Sequence, residues 1–594
     1  MIKFPYGISD FYQIITENYF YIDRTDRIPL VERIGKQLLF LRPRRFGKSL
    51  WLSTLENYYD VAKADEFETL FGHLAIGQNP TPLHNRYVVM RWDFSLVDPQ
   101  GNVAEIKRSL HNHINAAIER FTQQYQSQLH HTIERDPTDA LRSFQSLLTA
   151  VQQTPYHLYL LIDEYDNFAN TVLMSDRPDS QARYEALLYG EGALKTAFKA
   201  VKAASGGLGL DRVFITGISP VALNDVTSGY NVAKHISLEP GLHDLCGFWE
   251  TEIITPLQHI GQACDLPPEK VASALTTMSA FYDGYTFSHD SEGAIYNPTL
   301  ALYFMDYFQH HCQSPANMLD SNFAMDRQKL AYISHLRGGE ALILDALQEE
   351  TPISVFQLAD QFGMAEMLAP AHDTPFMASL LYYLGILTLG EKTALGKMTL
   401  RIPNLVVRKL YVEHIQRMLL PAQERDAAQQ AAETLYSTGD MQPLCDFIEQ
   451  RYFKVFDNRD YYGANELTVK TAFLTLLFND IAYIMDSETA LERGYADLTM
   501  IVRPEMRQYQ LLDILIEFKY VGLKKAGLTG EQARRMSRDE IKSLADVQAS
   551  FREAITQLRD YRRRLETKYR EKLRLRAYAV VSLGFDRLVW EEIR

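Results

Sequence analysis

Gly47-Lys48-Ser49 sits within the stretch FLRPRRFGKSLWLSTL, residues 40–55. A glycine, a lysine and a hydroxyl residue in succession at the start of a helix are the parts needed to hold a polyphosphate. Gly47 allows close backbone approach, and the helix N-terminus offers unpaired N–H groups. Lys48 reaches the β/γ-phosphates, and Ser49 joins a Mg²⁺ shell. Arg42 stands where the first glycine of such a loop is expected. Arg42, Arg44 and Arg45 either supply charge to phosphate or pair with acidic neighbours. The run YHLYLLIDEYDNF, residues 156–168, ends in Asp163-Glu164. Asp163 is placed to hold Mg²⁺ and Glu164 to polarise an attacking water; the competing reading is an acidic turn capping the next helix. DRVFITGISPVALND, residues 211–225, ends its apolar run at Thr216-Gly217. Thr216 either contacts the γ-phosphate or its water, or serves the turn.

A second constellation lies near the C-terminus. GYADLTMIV, residues 494–502, carries Asp497, and YQLLDILIEFKYV, residues 509–521, carries Glu517 and Lys519. Strand side chains alternate, so Glu517 and Lys519 share one face while Ile516, Phe518 and Tyr520 take the other. If the Asp497 strand lies alongside, Asp497, Glu517 and Lys519 converge. Two carboxylates and the Phe518 carbonyl suit Mg²⁺ or Mn²⁺ in an oxygen-rich shell. Such a metal lowers the pKa of bound water and stabilises a transferring phosphoryl group, with Lys519 orienting the water or neutralising charge. Glu466, on the helical stretch ANELTVKTAFLTLLFNDIAYIM, holds a water beside the metal or joins it. Gln557, on FREAITQLRDYRRRLETKYR, lies beside a basic run. The competing reading is a same-face ion pair of Glu517 with Lys519 on a half-exposed sheet, with Asp497 ending a hairpin.

These residues need a scaffold. KQLLFL (36–41) and YVVMRWDFS (87–95) read as strands, and KSLWLSTLENYY has helical spacing of Leu50, Leu52, Leu55 and Tyr58. Strand and helix signals alternate over 1–240, as in an α/β nucleotide-binding domain. Residues 241–450 read as mainly helical, with YDGYTF (282–287) and IYNP (295–298) as packing turns, the competing reading being contacts to the nucleotide domain. Residues 451–594 read as α/β again. A length of 594 residues implies two or three domains. With 46% hydrophobic and 23% charged residues, the chain reads as ordinary and soluble. A net charge of -14 argues against coating nucleic acid through the overall field; the basic run RDYRRRLETKYREKLRLR, residues 559–576, taken alone reads as a solvated helix face, and beside a metal centre as a local cationic surface that tracks phosphates. The scattered Cys246, Cys264, Cys312 and Cys445 suggest a reducing compartment and no disulfide or zinc framework. The start lacks the pattern of a secretory signal, and no apolar run is long enough to span a bilayer.

Together these motifs resemble the AAA-ATPase-like proteins that couple an N-terminal P-loop domain to a C-terminal PD-(D/E)XK nuclease-like domain. The carriers are FYQIITENYFYIDRTDRI, RPRRFGKSL, LLIDEYDNF, FITGISPVALND, YDGYTF and YNP, then ELTVKTAF, GYADLTMIV and LIEFKYV. RPRRFGKS in place of a glycine-rich loop is typical of that family. The resemblance implies an α/β fold with an N-terminal P-loop AAA-like ATPase domain (1–240). A helical lid, bridging or regulatory region (241–450) and a C-terminal restriction-endonuclease-like α/β domain (451–594) follow. By position, Lys48 and Ser49 match the phosphate and magnesium residues, with Arg44, Arg45, Gly47 and Thr216 as further nucleotide contacts. Asp163 and Glu164 match the acidic pair, and Asp497, Glu517 and Lys519 match the nuclease-like core, with Glu466 and Gln557 auxiliary. Tyr495 departs from the pattern, since arginine often holds that position. The implied function is an ATP-regulated, Mg²⁺- or Mn²⁺-dependent nucleic-acid phosphodiesterase, DNA preferred, with RNA open. The implied setting is cytoplasmic, with prokaryotic defence and self-association through the ATPase domain as extensions. The alternative is an ATP-dependent nucleic-acid-binding switch or assembly scaffold with an inactive nuclease-like domain; a further one binds nucleotide without hydrolysing it.

Overall fold

The apolar runs that precede the phosphate-loop residues, Asp163-Glu164 and Gly217 become neighbouring strands. In the computed structural model, β1 (Gln37–Leu41), β2 (Tyr87–Asp93), β3 (His157–Asp163), β4 (Leu210–Gly217) and β5 (Lys234–His235) form one parallel sheet ordered β2-β3-β4-β1-β5. The structure describes residues 1–173, 179–188, 192–220, 232–318, 326–336, 338–348, 352–359, 362, 373–453, 466–486, 497–569 and 573–593. Helices Lys48–Tyr59, Val103–Gln124, Ala140–Gln152 and Ala193–Ser205 pack on the strands. Enclosure by helices is why β1, β3 and β4 are near-continuous apolar runs with no alternation. Because β3, β4 and β1 are adjacent and parallel, their carboxyl ends bring Asp163, Thr216 and the Gly47 loop to one edge of the sheet.

The middle region is not helical throughout. β6 (Ile353–Val355), β7 (Thr388–Lys392) and β8 (Met398–Arg401) form an antiparallel sheet ordered β6-β8-β7. These strands are short, and β6 pairs with a partner more than forty residues away, so periodicity could not reveal them. The helix Thr374–Tyr383 before the β7–β8 hairpin is buried from Phe376 onward. Just beyond it, Gly385 packs on the phosphate loop: a Cβ there would lie 2.6 Å from Pro43 Cβ.

The C-terminal sheet comprises β9 (Tyr483–Asp486), β10 (Leu498–Val502), β11 (Asp513–Val521), β12 (Leu575–Leu583) and β13 (Arg587–Ile593), ordered β13-β12-β11-β10-β9. Only β11 and β12 pair in parallel, which requires a crossover; the helix Ala545–Tyr569 lies on that path and packs on both strands. Alternation divides the packing as the pleat demands. Ile514, Ile516 and Phe518 join the main core, with the Phe518 ring 4.8 Å from that of Phe473, whereas Leu515 and Val521 pack with Val547, Phe551 and Leu558 of the crossover helix.

One expectation is overturned. Cys264 and Cys312 form a disulfide, with Cα atoms 5.6 Å apart, joining the end of helix Glu250–Ala263 to the end of helix Pro298–His311. The 48-residue separation hides the pair from any local reading, and with this disulfide the cysteines do not point to a reducing compartment. Among the described residues no helix is long and apolar enough to cross a membrane.

Candidate functional site

Gly47 caps its helix with φ of 93°, in the left-handed region that favours glycine, and no atom lies within 4 Å of a Cβ built there. Arg45 (φ 64°) and Glu164 (φ 49°) adopt the same region without glycine's freedom, so strain collects at the two segments that flank the phosphate position. Lys48 is buried, and its ammonium donates to the Arg42 and Pro43 carbonyls at 3.1 and 3.2 Å. It also pairs with Glu164 Oε1 at 3.3 Å. Glu164 Oε2 is buried and accepts no hydrogen bond. Asp163 Oδ1 accepts from the Thr216 hydroxyl and Oδ2 from Arg91, both at 2.6 Å. A cavity of about 410 Å³ opens beside Gly47, Lys48 and Ser49 and extends to Tyr21 and Leu302. An ammonium, a loop of backbone donors and an orphaned buried carboxylate oxygen are a donor set that fits a polyphosphate with its cation.

Arg42 follows neither of its sequence alternatives. Its guanidinium is buried, donates to the carbonyls of Leu41 (2.9 Å), Ser237 (2.8 Å) and Leu242 (2.9 Å), and lies 4.4 and 4.1 Å from the ring centroids of Phe40 and Phe287. Burial depresses its pKa to about 10. Arg44 donates to Asn167 Oδ1 at 2.9 Å, and the Thr299 hydroxyl donates to the Arg45 carbonyl at 2.8 Å. The Phe46 ring lies 4.8 Å from Tyr285 and 5.3 Å from Phe287. The RPRRF segment is therefore braced against residues 237–299 and Gly385, and YDGYTF packs against it. Replacing Arg42 by methionine keeps the stem but takes the guanidinium donors from these carbonyls. Arg42→Met is expected to lose about 2–4 kcal/mol of stability in chemical denaturation, with little recovery in Arg42→Lys, whose single ammonium does not reproduce the planar fork.

At the other end of the chain, Leu498 pairs with Ile516, which sets Asp497 opposite Glu517. Asp497 Oδ2 accepts from the Phe518 N–H at 2.8 Å. Lys519 donates to Glu517 Oε1 at 3.1 Å and Glu466 Oε1 at 3.4 Å. Glu517 is 3% exposed, and its Oε2 accepts no hydrogen bond. Asp497, Glu517, Lys519 and Glu466 thus converge. Gln557, whose Oε1 is also buried without a partner, lies one turn from Glu553 and one turn from Tyr561 on the crossover helix. Glu553 Oε1 is 4.0 Å from Lys519 Nζ. Burial first, and then the charges of Glu517 and Asp497, raise the Tyr561 pKa. Sequence reasoning passed over Glu553, Tyr561 and the buried Lys470, although the spacings Glu466–Lys470 and Glu553–Gln557–Tyr561 are each one helical turn. Tyr495 lies outside the described residues, as do residues 570–572 of the basic run. Much of that run is internally neutralised: Arg563 and Arg564 pair with Asp560, and Arg562 with Glu566.

The Glu517 pKa is pushed up to about 7, by burial first and by the charge of Asp497 next, against the pull of Lys519. Burial also works against the Lys519 ammonium, but Glu517 and Glu466 outweigh it and raise its pKa. A carboxyl whose folded pKa exceeds its unfolded value costs stability as pH rises from its ordinary range towards 7, and the full cost is present above that. Without divalent cation, Glu517→Gln is therefore expected to be more stable than wild type at pH 8, by up to roughly 3 kcal/mol, and equal to it near pH 4. Thermal melts across pH check this. Two oxygen donors held together at a charge cost, one with an open acceptor, fit a hard divalent cation. Among the described residues no group of three or more His, Cys, Asp or Glu side chains is arranged to hold a metal ion.

Residues 5–227 match the family model described as "Predicted AAA-ATPase", and residues 464–592 match that of the PD-(D/E)XK nuclease superfamily. An uncharacterised protein in the vnfD 5′ region of Azotobacter chroococcum mcd 1 is 24% identical over 559 residues, covering 90% of this chain and 92% of its own. Among solved structures, the Aeropyrum pernix ORC1 protein in complex with DNA aligns at 10% identity and a TM-score of 0.24, over 67% of this chain and 95% of that one. The ORC2 protein of the same organism, in ADPNP–ADP complexes, aligns at 13% identity and a TM-score of 0.33, over 69% of this chain and 98% of its own. The chain thus carries an N-terminal AAA-ATPase-like domain and a C-terminal domain of the PD-(D/E)XK nuclease superfamily.

Proposed function

We propose that this protein is an ATP-regulated, cation-dependent nucleic-acid phosphodiesterase, acting on DNA in preference to RNA. The observation that carries this reading is the open, buried Oε2 of Glu517 beside Asp497. Asp497, Glu517 and the Phe518 carbonyl would hold Mg²⁺ or Mn²⁺, which when bound supplies an activated water and stabilises charge on the phosphoryl oxygens. Asp497 is held in place by the Phe518 N–H, and Lys519 orients the water or neutralises developing charge. Glu466 and Gln557 support that arrangement from the flanking helices. In the ATPase-like domain, Lys48 would exchange its loop carbonyls for the β/γ-phosphates, with Arg44, Arg45 and the Gly47 loop as further contacts. Ser49 and Asp163 would hold Mg²⁺, Thr216 would approach the γ-phosphate, and Glu164 would polarise the water. Regulation has a physical route, because the loop is braced directly on the middle region through Arg42, Pro43, Arg45 and Phe46. Self-association through the ATPase domain and a role in prokaryotic defence extend the same reading.

A second reading is favoured by ligand count: an ATP-dependent nucleic-acid-binding switch or scaffold whose nuclease-like domain does not cut. Among the described residues no group of three metal-ligating side chains exists, and Lys519 already pairs with Glu517 and Glu466. On that count alone it is the better supported of the two. Purified protein incubated with labelled single- and double-stranded DNA and RNA, with Mg²⁺ or Mn²⁺ and with EDTA, separates them. Cation-dependent cleavage supports the phosphodiesterase; binding without cleavage in every cation supports the switch.

A further inference from the structure

The C-terminal centre contains a second buried ammonium that the proposed reaction leaves without a role. Lys470 is 3% exposed and lies one turn after Glu466 on helix Glu466–Leu477. Its Nζ is 3.7 Å from Asp497 Oδ1, while Lys519 serves Glu517 Oε1 at 3.1 Å. Asp497 Oδ2 accepts the Phe518 N–H at 2.8 Å. Each carboxylate therefore has its own lysine. Asp497 has both oxygens engaged, whereas Glu517 keeps Oε2 open. The neighbours of Lys470 on this helix, Val469, Ala472, Phe473 and Leu474, are buried hydrophobics, and an apolar residue at 470 would pack among them at lower desolvation cost. The Asp497 carboxylate is a charge partner that offsets part of that cost.

We infer that Lys470 is a place-holding cation for Asp497: it neutralises the Asp497 side of the centre when no divalent cation is bound and yields Asp497 Oδ1 when one binds. The inference rests on the reading of Asp497 and Glu517 as a cation centre. Lys470 is then a positioning residue acting through Asp497, and it sets the cation concentration at which the centre loads. Two cations competing for one carboxylate in a partly desolvated site repel each other, so the lysine raises that concentration. It also keeps Asp497 in place between loading events, which spares the empty centre two adjacent unscreened negative charges.

The test is Mn²⁺ binding to the full-length protein, followed by calorimetry without nucleotide or nucleic acid. Asp497→Asn identifies the signal that belongs to this centre. Lys470→Met is expected to bind Mn²⁺ about threefold or more tightly than wild type. Lys470→Arg, which retains the charge, is expected to stay within about twofold of wild type. Placing Lys470→Met in the Asp497→Asn background is expected to add nothing, because the lysine acts through that carboxylate. Lys470→Gln replaces the methionine variant if the latter melts below the assay temperature. Unchanged or weaker Mn²⁺ binding in a folded Lys470→Met protein, with wild type binding normally, overturns the inference and leaves the cation centre standing. Failure of both wild type and Lys470→Met to bind Mn²⁺ overturns both. Binding by Lys470→Met alone supports both.

Discussion

Asp497→Asn and Glu517→Gln are each expected to lower cation-dependent cleavage by about 10²–10³-fold or more while leaving nucleic-acid affinity within a few-fold of wild type. The two substitutions remove charge at the centre and little else. Asp497 lies just before β10, and its carboxylate accepts the Phe518 N–H and lies 3.7 Å from Lys470 Nζ; asparagine preserves the side-chain shape and an acceptor for the backbone bond and removes the charge that faces Lys470. Glu517 is buried with one oxygen on Lys519, an acceptor that glutamine also keeps. Each variant therefore tests the negative charge and not the packing. The stability profile supplies an internal control, since Glu517→Gln is expected to melt higher than wild type at pH 8 without divalent cation. Loss of activity in a more stable protein cannot be ascribed to unfolding. Equal cleavage by wild type and both variants would place the chemistry elsewhere.

The second large effect belongs to the ATPase-like domain. Lys48→Ala is expected to weaken ATP binding by roughly 30- to 1,000-fold, equivalent to about 2–4 kcal/mol. Lys48 is the ammonium of the loop, and its present partners, the Arg42 and Pro43 carbonyls and Glu164, are ones it can exchange for phosphate oxygens. Glu164→Gln is expected to behave differently: it keeps nucleotide affinity and lowers phosphate release by about 10²-fold or more, because the position retains its shape but loses the base. Equilibrium binding of a fluorescent ATP analogue and a phosphate-release assay separate the two outcomes. Retained hydrolysis in Glu164→Gln would remove that residue from the water-polarising role.

Side-chain placement that depends on strand alternation or on a buried strand end is legible in the sequence. A strand enclosed on both faces must be apolar along its length, so the polar residues at its carboxyl end, such as Asp163, stand out. Glu517 and Lys519 are polar residues two apart in an otherwise apolar strand, and the pleat puts them on one face, where the structure has them 3.1 Å apart. What stayed hidden depends on contacts between distant segments. The sequence around Arg42 offers phosphate or an acidic neighbour as its partner, but its partners at Ser237, Leu242 and Phe287 lie roughly two hundred residues or more away. The Cys264–Cys312 bridge and the β6–β8 pairing are hidden for the same reason. Lys470 and Tyr561 sit on helices whose faces could be assigned only once the sheet they cover was known.

The proposed function requires that nucleotide at Lys48 control cutting at Glu517. Its most direct test is the rate at which wild-type protein cleaves one labelled DNA duplex at fixed free Mg²⁺ with ATP, with ADP and with no nucleotide. The bracing of the phosphate loop on the middle region predicts rates that differ by about fivefold or more between the ATP-bound and nucleotide-free protein, with the difference lost in Lys48→Ala. Identical rates in all three conditions, or no cleavage in any of them, would contradict it.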